Sequence, residues 1–302
     1  MKGPLAIFFC IATLQLYAQR YDTVSVFNIP VQIDEVVVKS GWDITSFIRR
    51  VQTDTTFYKA FRTMRLVPYR ATNDIKVHGK ARELVASLYS KTRQEIRHGC
   101  RTMAVEEEKT TGNFYTPAHK YNYYTADLYA YLFFTKDSVC GENDIVKGAL
   151  VDKGKGKMEK SKYQLKQLIF NPGSKIEGIP MMGDKAAIFD PDQAKKYDFK
   201  ILVDLFQGTP CYVFKITPKK GQEKNVVYNE LTTWFRKTDY SILARNYSLS
   251  YHTILYDFDV IMKVKTIQIA GRLLPSEINY NGNWHVLTQK RERVIFNTII
   301  NY

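Results

Sequence analysis

The last hundred residues contain a regular series of β-strand patterns, and this series limits the possible folds more than any other feature of the chain. Seven segments of apolar and aromatic residues end at charged, Gly-containing or Asn-containing turns: residues 199–205, 212–216, 226–235, 241–251, 255–269, 273–280 and 285–295. Because the connections are short, neighbouring strands should be antiparallel. We therefore predict an antiparallel meander that curls over one core face.

Alternation within these strands predicts which side chains share a face of the sheet. Successive side chains of a strand point to opposite sides. One face therefore collects Tyr247, Leu249, Tyr251, Tyr256, Phe258, Val260, Met262 and Val264. Two connections have clear turn signatures, residues 207–210 and the dipeptide Asn281-Gly282, which is typical of tight hairpin turns.

The N-terminal part is predicted to contain an extended segment and a helix. Residues 19–40 are rich in β-branched side chains and should be extended. Apolar residues recur at helical spacing over residues 43–64, where Asp43 can act as the N-cap. A polar cluster at residues 53–56 is expected to divide this segment into two helices.

Further strands are predicted between these helices and the C-terminal meander. They are residues 74–80, 84–96 and 100–108, followed by a turn at 110–113. Residues 121–134 are apolar or aromatic on both alternating faces, which is typical of a strand covered on both sides. The high aromatic content, with 21 Tyr and 17 Phe, also favours strands.

Residues 141–197 interrupt the strand pattern. They include a short predicted helix at residues 163–170 and a Gly-containing, lysine-rich loop at residues 153–162. The loop could bind phosphate or lipid head groups, or it could be a solvated loop without a ligand. Both interpretations remain open at this point.

Residues 1–18 have the three zones of a secretory signal peptide. Lys2 provides the positive start, residues 5–14 are apolar, and Ala18 is a small residue at the expected cleavage site. The apolar run is shorter than the roughly 20 residues that a membrane span requires. We expect cleavage after Ala18 and export to the periplasm of a Gram-negative bacterium.

Three cysteines remain after this cleavage, and they suggest one disulfide. Cys100 and Cys140 flank the same predicted hairpin, so they are the favoured pair in an oxidising compartment. Cys211 lies in a strand pattern, where a buried and unreactive thiol is expected.

The chain is strongly basic, with a formal net charge of +14 at pH 7. Such a charge attracts anionic partners, among them acidic lipids, lipopolysaccharide and acidic glycans. Export argues against a nucleic-acid partner. A basic protein without a specific anionic partner is the alternative.

No catalytic or metal-binding signature is recognisable in the chain. The five histidines have no paired ligand spacing: His78, His98, His119, His252 and His285. There is no G-x-S-x-G elbow. Two acid pairs, Asp190 with Asp192 and Asp257 with Asp259, are typical of turns and solvated strand faces. We therefore predict no cofactor, no metal and no enzymatic activity.

Two segments of the meander give the chain a family resemblance. Residues 208–219 read GTPCYVFKITPK and residues 234–240 read WFRKTDY, after an amphipathic helix and long antiparallel strands. This arrangement resembles the outer-membrane lipoprotein-sorting proteins (LolA/LolB-like) over roughly residues 44–297. The Ala18-Gln19 junction and the Tyr-rich, Lys-rich composition also resemble exported proteins of Bacteroidetes.

The resemblance implies a β-rich α+β fold, in which a curved antiparallel sheet forms an incomplete barrel and helices plug one face. Residues 19–302 would form a single half-barrel domain. Members of this family hold acyl chains in an apolar cavity, and they provide no catalytic residues to transfer.

Two functions are compatible with these patterns. The first is a non-enzymatic periplasmic carrier of a hydrophobic or anionic amphiphile, such as a lipid or a lipoprotein acyl chain, with possible peripheral contact with the outer membrane. Its candidate ligand-binding residues are Tyr212, Phe214, Trp234, Tyr247, Tyr251, Phe258 and Met262. The second is a structural or protein-interaction module of the cell envelope, whose sheet is filled by its own side chains. An open cavity of a few hundred Å³ would favour the carrier.

Overall fold

The strands form one open, curved sheet that does not close into a barrel. The computed structural model describes residues 21–39, 42–146, 167, 169–176, 182–253, 256–286 and 290–302. The predicted signal peptide and the lysine-rich loop at 153–162 lie outside the described residues, as does most of the helix predicted at 163–170. The β-rich α+β class and the incomplete-barrel architecture are confirmed.

Thirteen strands belong to the sheet within these ranges. They are β1 Tyr21–Val26, β2 Ile29–Asp34, β3 Tyr69–His78, β4 Leu84–Arg97, β5 Cys100–Gly112, β6 Val139–Cys140, β7 Tyr197–Phe206, β8 Thr209–Pro218, β9 Tyr228–Arg236, β10 Ile242–His252, β11 Tyr256–Ile269, β12 Arg272–Val286 and β13 Glu292–Asn301. Their order across the sheet is β1-β2-β7-β8-β9-β10-β11-β12-β13-β3-β4-β5-β6. The meander from β7 to β13 is antiparallel throughout, whereas β2 pairs with β7 in parallel.

Short helices connect or cover the strands. They are α1 Glu35–Lys39, α2 Ile44–Thr53, α3 Thr56–Met64, α4 Tyr124–Phe133 and α5 Pro191–Ala194, with a 3₁₀ turn at Glu223–Asn225. Helices α2, α3 and α4 pack on one face of the sheet, which we call the inner face. There the ring centroids of Phe47 on α2 and Phe235 on β9 are 5.2 Å apart, and those of Tyr129 on α4 and Phe296 on β13 are 4.6 Å apart.

The division of the predicted 43–64 helix into α2 and α3 is confirmed. Asp43 caps α2, since its Oδ1 accepts a hydrogen bond from the Ser46 backbone N–H at 3.0 Å. Asp54 stands between the helices, and its Oδ1 accepts from the Thr56 backbone N–H at 3.1 Å. Short polar side chains thus end one helix and start the next. Residues 21–34 are extended as predicted, but residues 35–39 form α1.

The strand predicted at residues 121–134 is wrong, because the segment forms helix α4. Its buried residues recur at helical spacing: Thr125, Ala126, Leu128, Tyr129, Leu132 and Phe133. A run that is apolar on all sides fits a buried helix and a buried strand equally well by alternation. The strand was predicted because aromatic residues are common in strands. In the structure, packing against the sheet favours a helix for this segment.

The tight turn predicted at Asn281-Gly282 is also wrong, since β12 continues through it. Gly282 pairs with Val260 on one side and Val294 on the other. A Cβ atom at position 282 would lie 2.0 Å from Oη of Tyr280. Gly282 is therefore required by the Tyr280 ring, which stacks on Phe296 at a centroid distance of 4.5 Å.

Gly282→Ala is expected to destabilise the protein by about 1–3 kcal/mol, because the added methyl must displace a buried ring from a filled core. Chemical denaturation measures the loss. Asn281→Ala is the matched control, since Asn281 is the exposed neighbour in the same strand. Equal stability of Gly282→Ala and the wild type would contradict this role of the glycine.

A disulfide and a charge cluster join the end of the sheet to the helices. Cys100 on β5 and Cys140 on β6 are bonded, with their Cα atoms 4.0 Å apart. Two residues further on, Glu142 accepts hydrogen bonds from Arg101 and from Arg65, the latter at 3.1 Å. Burial raises the pKa of the Glu142 carboxyl, but the hydrogen bond from Arg101 and the positive charge of Arg65 outweigh it, so the pKa is lowered overall.

The lowered pKa predicts a pH-dependent contribution of Glu142 to stability. A carboxyl whose pKa is lower in the folded state than in the unfolded state stabilises the fold at pH values above its unfolded-state pKa, here 4.5. This stabilisation is lost as the pH falls through the folded-state pKa. Glu142→Gln should therefore lower the melting temperature at pH 7, and the difference should shrink below pH 4.5. Asp192→Asn, at an exposed pair with Lys195, should have little effect at either pH. A difference that is constant with pH would contradict the prediction.

Candidate binding cleft

Six of the seven predicted ligand-binding residues lie on the inner face. Phe214, Tyr247, Phe258 and Met262 are each at most 2% exposed, and Tyr251 is 8% exposed. They pack in one continuous core with the helices. The sixth, Tyr212, is half-buried and stacks on Trp42 at a centroid distance of 4.0 Å.

Trp234 does not share this wall, so grouping it with Phe214 is corrected by the structure. In the β8–β9 register Trp234 is opposite Val213, whereas Phe214 is opposite Thr233. Trp234 therefore lies on the outer face, where its ring centroid is 5.6 Å from that of Phe206. Residues 234 and 235 of one strand face opposite ways, and it is Phe235 that packs on Phe47 at the inner face.

Cys211 is buried on the same outer face as Trp234. Its Sγ donates to the backbone oxygen of Asp204 at 3.2 Å, and burial raises the pKa of its thiol. A thiol held in the protonated form is a poor nucleophile.

A first open space lies beside the α2–α3 loop, and none of the seven predicted ligand-binding residues lines it. A cleft of about 650 Å³ separates α2 and α3 from the ends of β9, β10, β11 and β12; we call it the α2–α3 cleft. Its charged residues are Arg50, Asp54, Lys59, Asp144, Asp239 and Arg272, and its apolar residues include Ala60, Phe235, Tyr240 and Leu273. Cations and anions both line the rim, so the cleft can bind a polar group of either sign.

A second, smaller cavity of about 220 Å³ opens on the other side of the loop, and we call it the Arg245 pocket. Its apolar residues include Val51, Phe189, Phe214 and Leu231, and its polar residues include Thr233, Ser174, Lys175 and Arg245. Phe214 is the predicted ligand-binding residue that lines it. Asp54 lines both cavities and forms part of the wall between them.

Arg245 is a buried charge that lines this pocket, with 6% of its surface exposed. Its Nε donates to Thr233 Oγ1 at 2.9 Å, and its guanidinium lies 4.5 Å from the centroid of the Phe57 ring. Its Nη2 is 3.6 Å from Asp54 Oδ2. Burial lowers the pKa of Arg245 and the Asp54 charge opposes this shift. An arginine titrates so far above neutrality that it stays charged.

Neither Asp54 nor Arg245 is among the candidate binding residues predicted from the sequence. A signal for Arg245 exists, because it is two residues before Tyr247 and so alternates onto the same apolar face. A charge on a face predicted to be buried is expensive and therefore marks a functional or pairing role. Asp54 carries no such signal, since acids are common at helix boundaries.

The described residues contain no group of three or more His, Cys, Asp and Glu side chains that could hold a metal ion. His252 contacts Asp257 at 2.7 Å and Asp259 at 3.5 Å, but this cluster is on the solvated surface. Within the same part of the chain, no helix has the length and apolarity needed to cross a membrane.

No protein-family model matches the chain, and no curated protein matches its sequence. Solved structures that are similar to this chain include the following two. A DUF1329 family protein from Desulfovibrio piger is 14% identical with a TM-score of 0.23, and the match covers 88% of this chain and 92% of that one. A domain described as an outer membrane lipoprotein-sorting protein, from Vibrio parahaemolyticus, is 12% identical with a TM-score of 0.27, covering 81% and 90%.

At such low identity and TM-scores, these similarities decide nothing about ligand or activity. Neither addresses the expected Bacteroidetes origin, which stays a prediction.

Proposed function

We propose that the protein is a non-enzymatic periplasmic binding or carrier protein whose ligand is an amphiphile, such as a lipid or a lipoprotein acyl chain. The observation that carries this proposal is the pair of cavities beside the α2–α3 loop. Each combines apolar residues of the inner face with a charged rim. Such a surface matches a ligand with one apolar and one charged part.

The size of the α2–α3 cleft supports the proposal. Small-molecule sites are commonly clefts of about 300–1,000 Å³, and the cleft of about 650 Å³ falls in this range. An amphiphile also fits better than a purely apolar ligand. The apolar wall at Tyr247, Phe258 and Met262 is covered by packed side chains, whereas the open space is partly polar.

The Cys100–Cys140 disulfide supports a location outside the cytoplasm, because disulfides persist in oxidising compartments such as the periplasm. A single domain over residues 19–302 is part of the same proposal. The charge of +14 favours an anionic ligand and an anionic membrane surface, so peripheral contact with the outer membrane is included as well.

Native mass spectrometry tests the function directly. The mature protein, purified from its own periplasm, would be measured with and without added lipid, and the lipids would be extracted and identified. A stoichiometric lipid or acylated peptide is the expected result. A mass without ligand, together with no uptake of added lipid, would overturn the carrier proposal.

A bulky side chain in the α2–α3 cleft is expected to weaken lipid uptake by about tenfold or more, because it fills the proposed site. Thr53→Trp places an indole at an exposed position that lines the cleft. Thr45→Trp is the matched control, on the same helix and exposed but outside the cleft lining. Binding of a fluorescent lipid measures both variants. An equal loss in both, or in neither, would exclude the cleft as the site.

The second candidate function is an interaction module of the cell envelope, and the filled inner face favours it. Ile261 and Ile299 on the outer face are 48% and 54% exposed and could contact a partner. A clean mass without ligand in the experiment above would favour this module.

A further inference from the structure

The Arg245 guanidinium has more donors than partners. A guanidinium carries five N–H groups. In the described part of the chain, the one hydrogen bond that Arg245 donates runs from Nε to Thr233. The contact of Nη2 with Asp54 Oδ2 is 3.6 Å long, which exceeds hydrogen-bond length.

Asp54 is equally unsatisfied on the side that faces Arg245. Its Oδ1 accepts two hydrogen bonds from Thr56, at 3.1 Å and 2.6 Å. Its Oδ2 is buried and has no hydrogen-bond partner among the described residues. Thus the pair is close enough to attract but does not form the bidentate geometry that makes arginine–carboxylate pairs strong.

In a buried ion pair with poor geometry, the attraction between the charges does not offset the cost of removing them from water. The position of Arg245 is therefore not explained by stability alone. Arg245 instead lines a cavity of about 220 Å³, which is large enough for a phosphate group. Lys175 lines the same cavity and brings a second positive charge. A phosphate monoester carries about −1.5 to −2 charges and three acceptor oxygens, so it can outcompete the single charge of Asp54.

We infer that the Arg245 pocket is a phosphate subsite, in which Arg245 anchors the phosphate of the ligand and Asp54 is displaced from it. This inference deepens the proposed function and rests on it where the phosphate belongs to an amphiphile. Three acids oppose the phosphate: Asp54, Asp190 at the exposed rim, and Asp184, which pairs with Lys175 at 2.7 Å. Displacement of Asp54 would also loosen the α2–α3 loop, which is the wall between the two cavities.

The test compares three probes by isothermal titration calorimetry: dihexanoyl phosphatidic acid, dihexanoylglycerol, and inorganic phosphate. The first two differ by the phosphate alone. The wild type should bind the phosphatidic acid about tenfold or more tightly than the diacylglycerol, because one charge-assisted contact is gained. Arg245→Met should abolish that preference, whereas Arg70→Met, at an arginine whose side chain is 67% exposed on β3, should retain it.

Two further variants separate binding from folding. Asp54→Asn removes the competing charge and should raise the affinity for phosphate several-fold, a gain that a purely structural role would not produce. Arg245→Met alone leaves Asp54 as an unpaired buried charge and could therefore fail to fold. The double variant Asp54→Asn/Arg245→Met removes both charges and avoids this problem. It should bind the phosphatidic acid and the diacylglycerol equally.

Each outcome decides the inference. Equal wild-type binding of the two lipids would overturn the phosphate subsite while the carrier function stands. Binding of inorganic phosphate without either lipid would support the subsite and overturn the carrier function. Binding of none of the probes would overturn the subsite, and the native mass measurement decides the carrier function separately.

Discussion

Replacing Cys100 and Cys140 with serine should lower the free energy of unfolding by about 4 kcal/mol. The bond closes a loop with a sequence separation of 40 residues. Loop closure reduces the entropy of the unfolded chain, and for a loop of this length the chain-entropy relation gives about 4 kcal/mol. The loop includes helix α4, so loss of the disulfide should also loosen the packing of α4 on β13.

Urea denaturation with and without dithiothreitol measures this contribution. Reductant should lower the stability of the wild type to that of the double serine variant and should leave the variant unchanged. Cys211→Ala is the control, because this cysteine is buried on the outer face without a disulfide. It should lose some stability through packing and still respond to reductant. A wild type that is insensitive to reductant after full reduction would contradict the prediction.

The C-terminal meander could be predicted from sequence because its determinants are local. Strands β7 to β13 follow one another in the chain and pair with their neighbours, so alternation and turn residues specify them. The turn between β7 and β8 shows this, since Gln207 and Gly208 have φ values of 50° and 80° and form the predicted tight turn.

Elements that depend on distant parts of the chain could not be predicted in the same way. The parallel pairing of Val31 with Phe199 joins segments that are far apart in sequence, and no local pattern specifies it. Gly282 illustrates the reverse case, in which a strong local turn signal is overridden. Pairing on both sides holds it in a strand, and the ring of Tyr280 fills the space that a side chain would need.

The two cavities could not be predicted from the sequence for a related reason. Alternation placed Tyr247 and Phe258 on one face, and the structure has both on the inner face, but alternation could not show that α2, α3 and α4 fill the space in front of most of these residues. The cavities arise where two helices meet at Asp54 and a charged residue interrupts the apolar face at Arg245. The contact between Asp54 and Arg245 joins residues that are far apart in the chain. It depends both on the register of β10 and on the position of the break between α2 and α3.

Tyr129→Ala should lower the free energy of unfolding by about 3–5 kcal/mol, as removal of a buried aromatic side chain typically does. The residue is 1% exposed, and its hydroxyl contacts Asn73 Oδ1 and Thr298 Oγ1, each at 2.6 Å. It therefore fixes α4 to β3 and β13 through packing and hydrogen bonding together.

Tyr129→Phe divides these two contributions, because it keeps the ring and removes only the hydroxyl. We expect a loss of about 1–3 kcal/mol from it, since Asn73 Oδ1 and Thr298 Oγ1 then lose their hydrogen bond to the hydroxyl. Tyr131→Ala, on the same helix but half-buried, should cost less than Tyr129→Ala. Urea denaturation compares the three variants. A strand at this position would alternate its faces, so Tyr129 and Tyr131 would lie on the same side and their replacement would have similar effects. Equal losses from Tyr129→Ala and Tyr131→Ala would therefore contradict helix α4 itself, whereas a large difference is expected only if positions 125, 129 and 132 share one buried face.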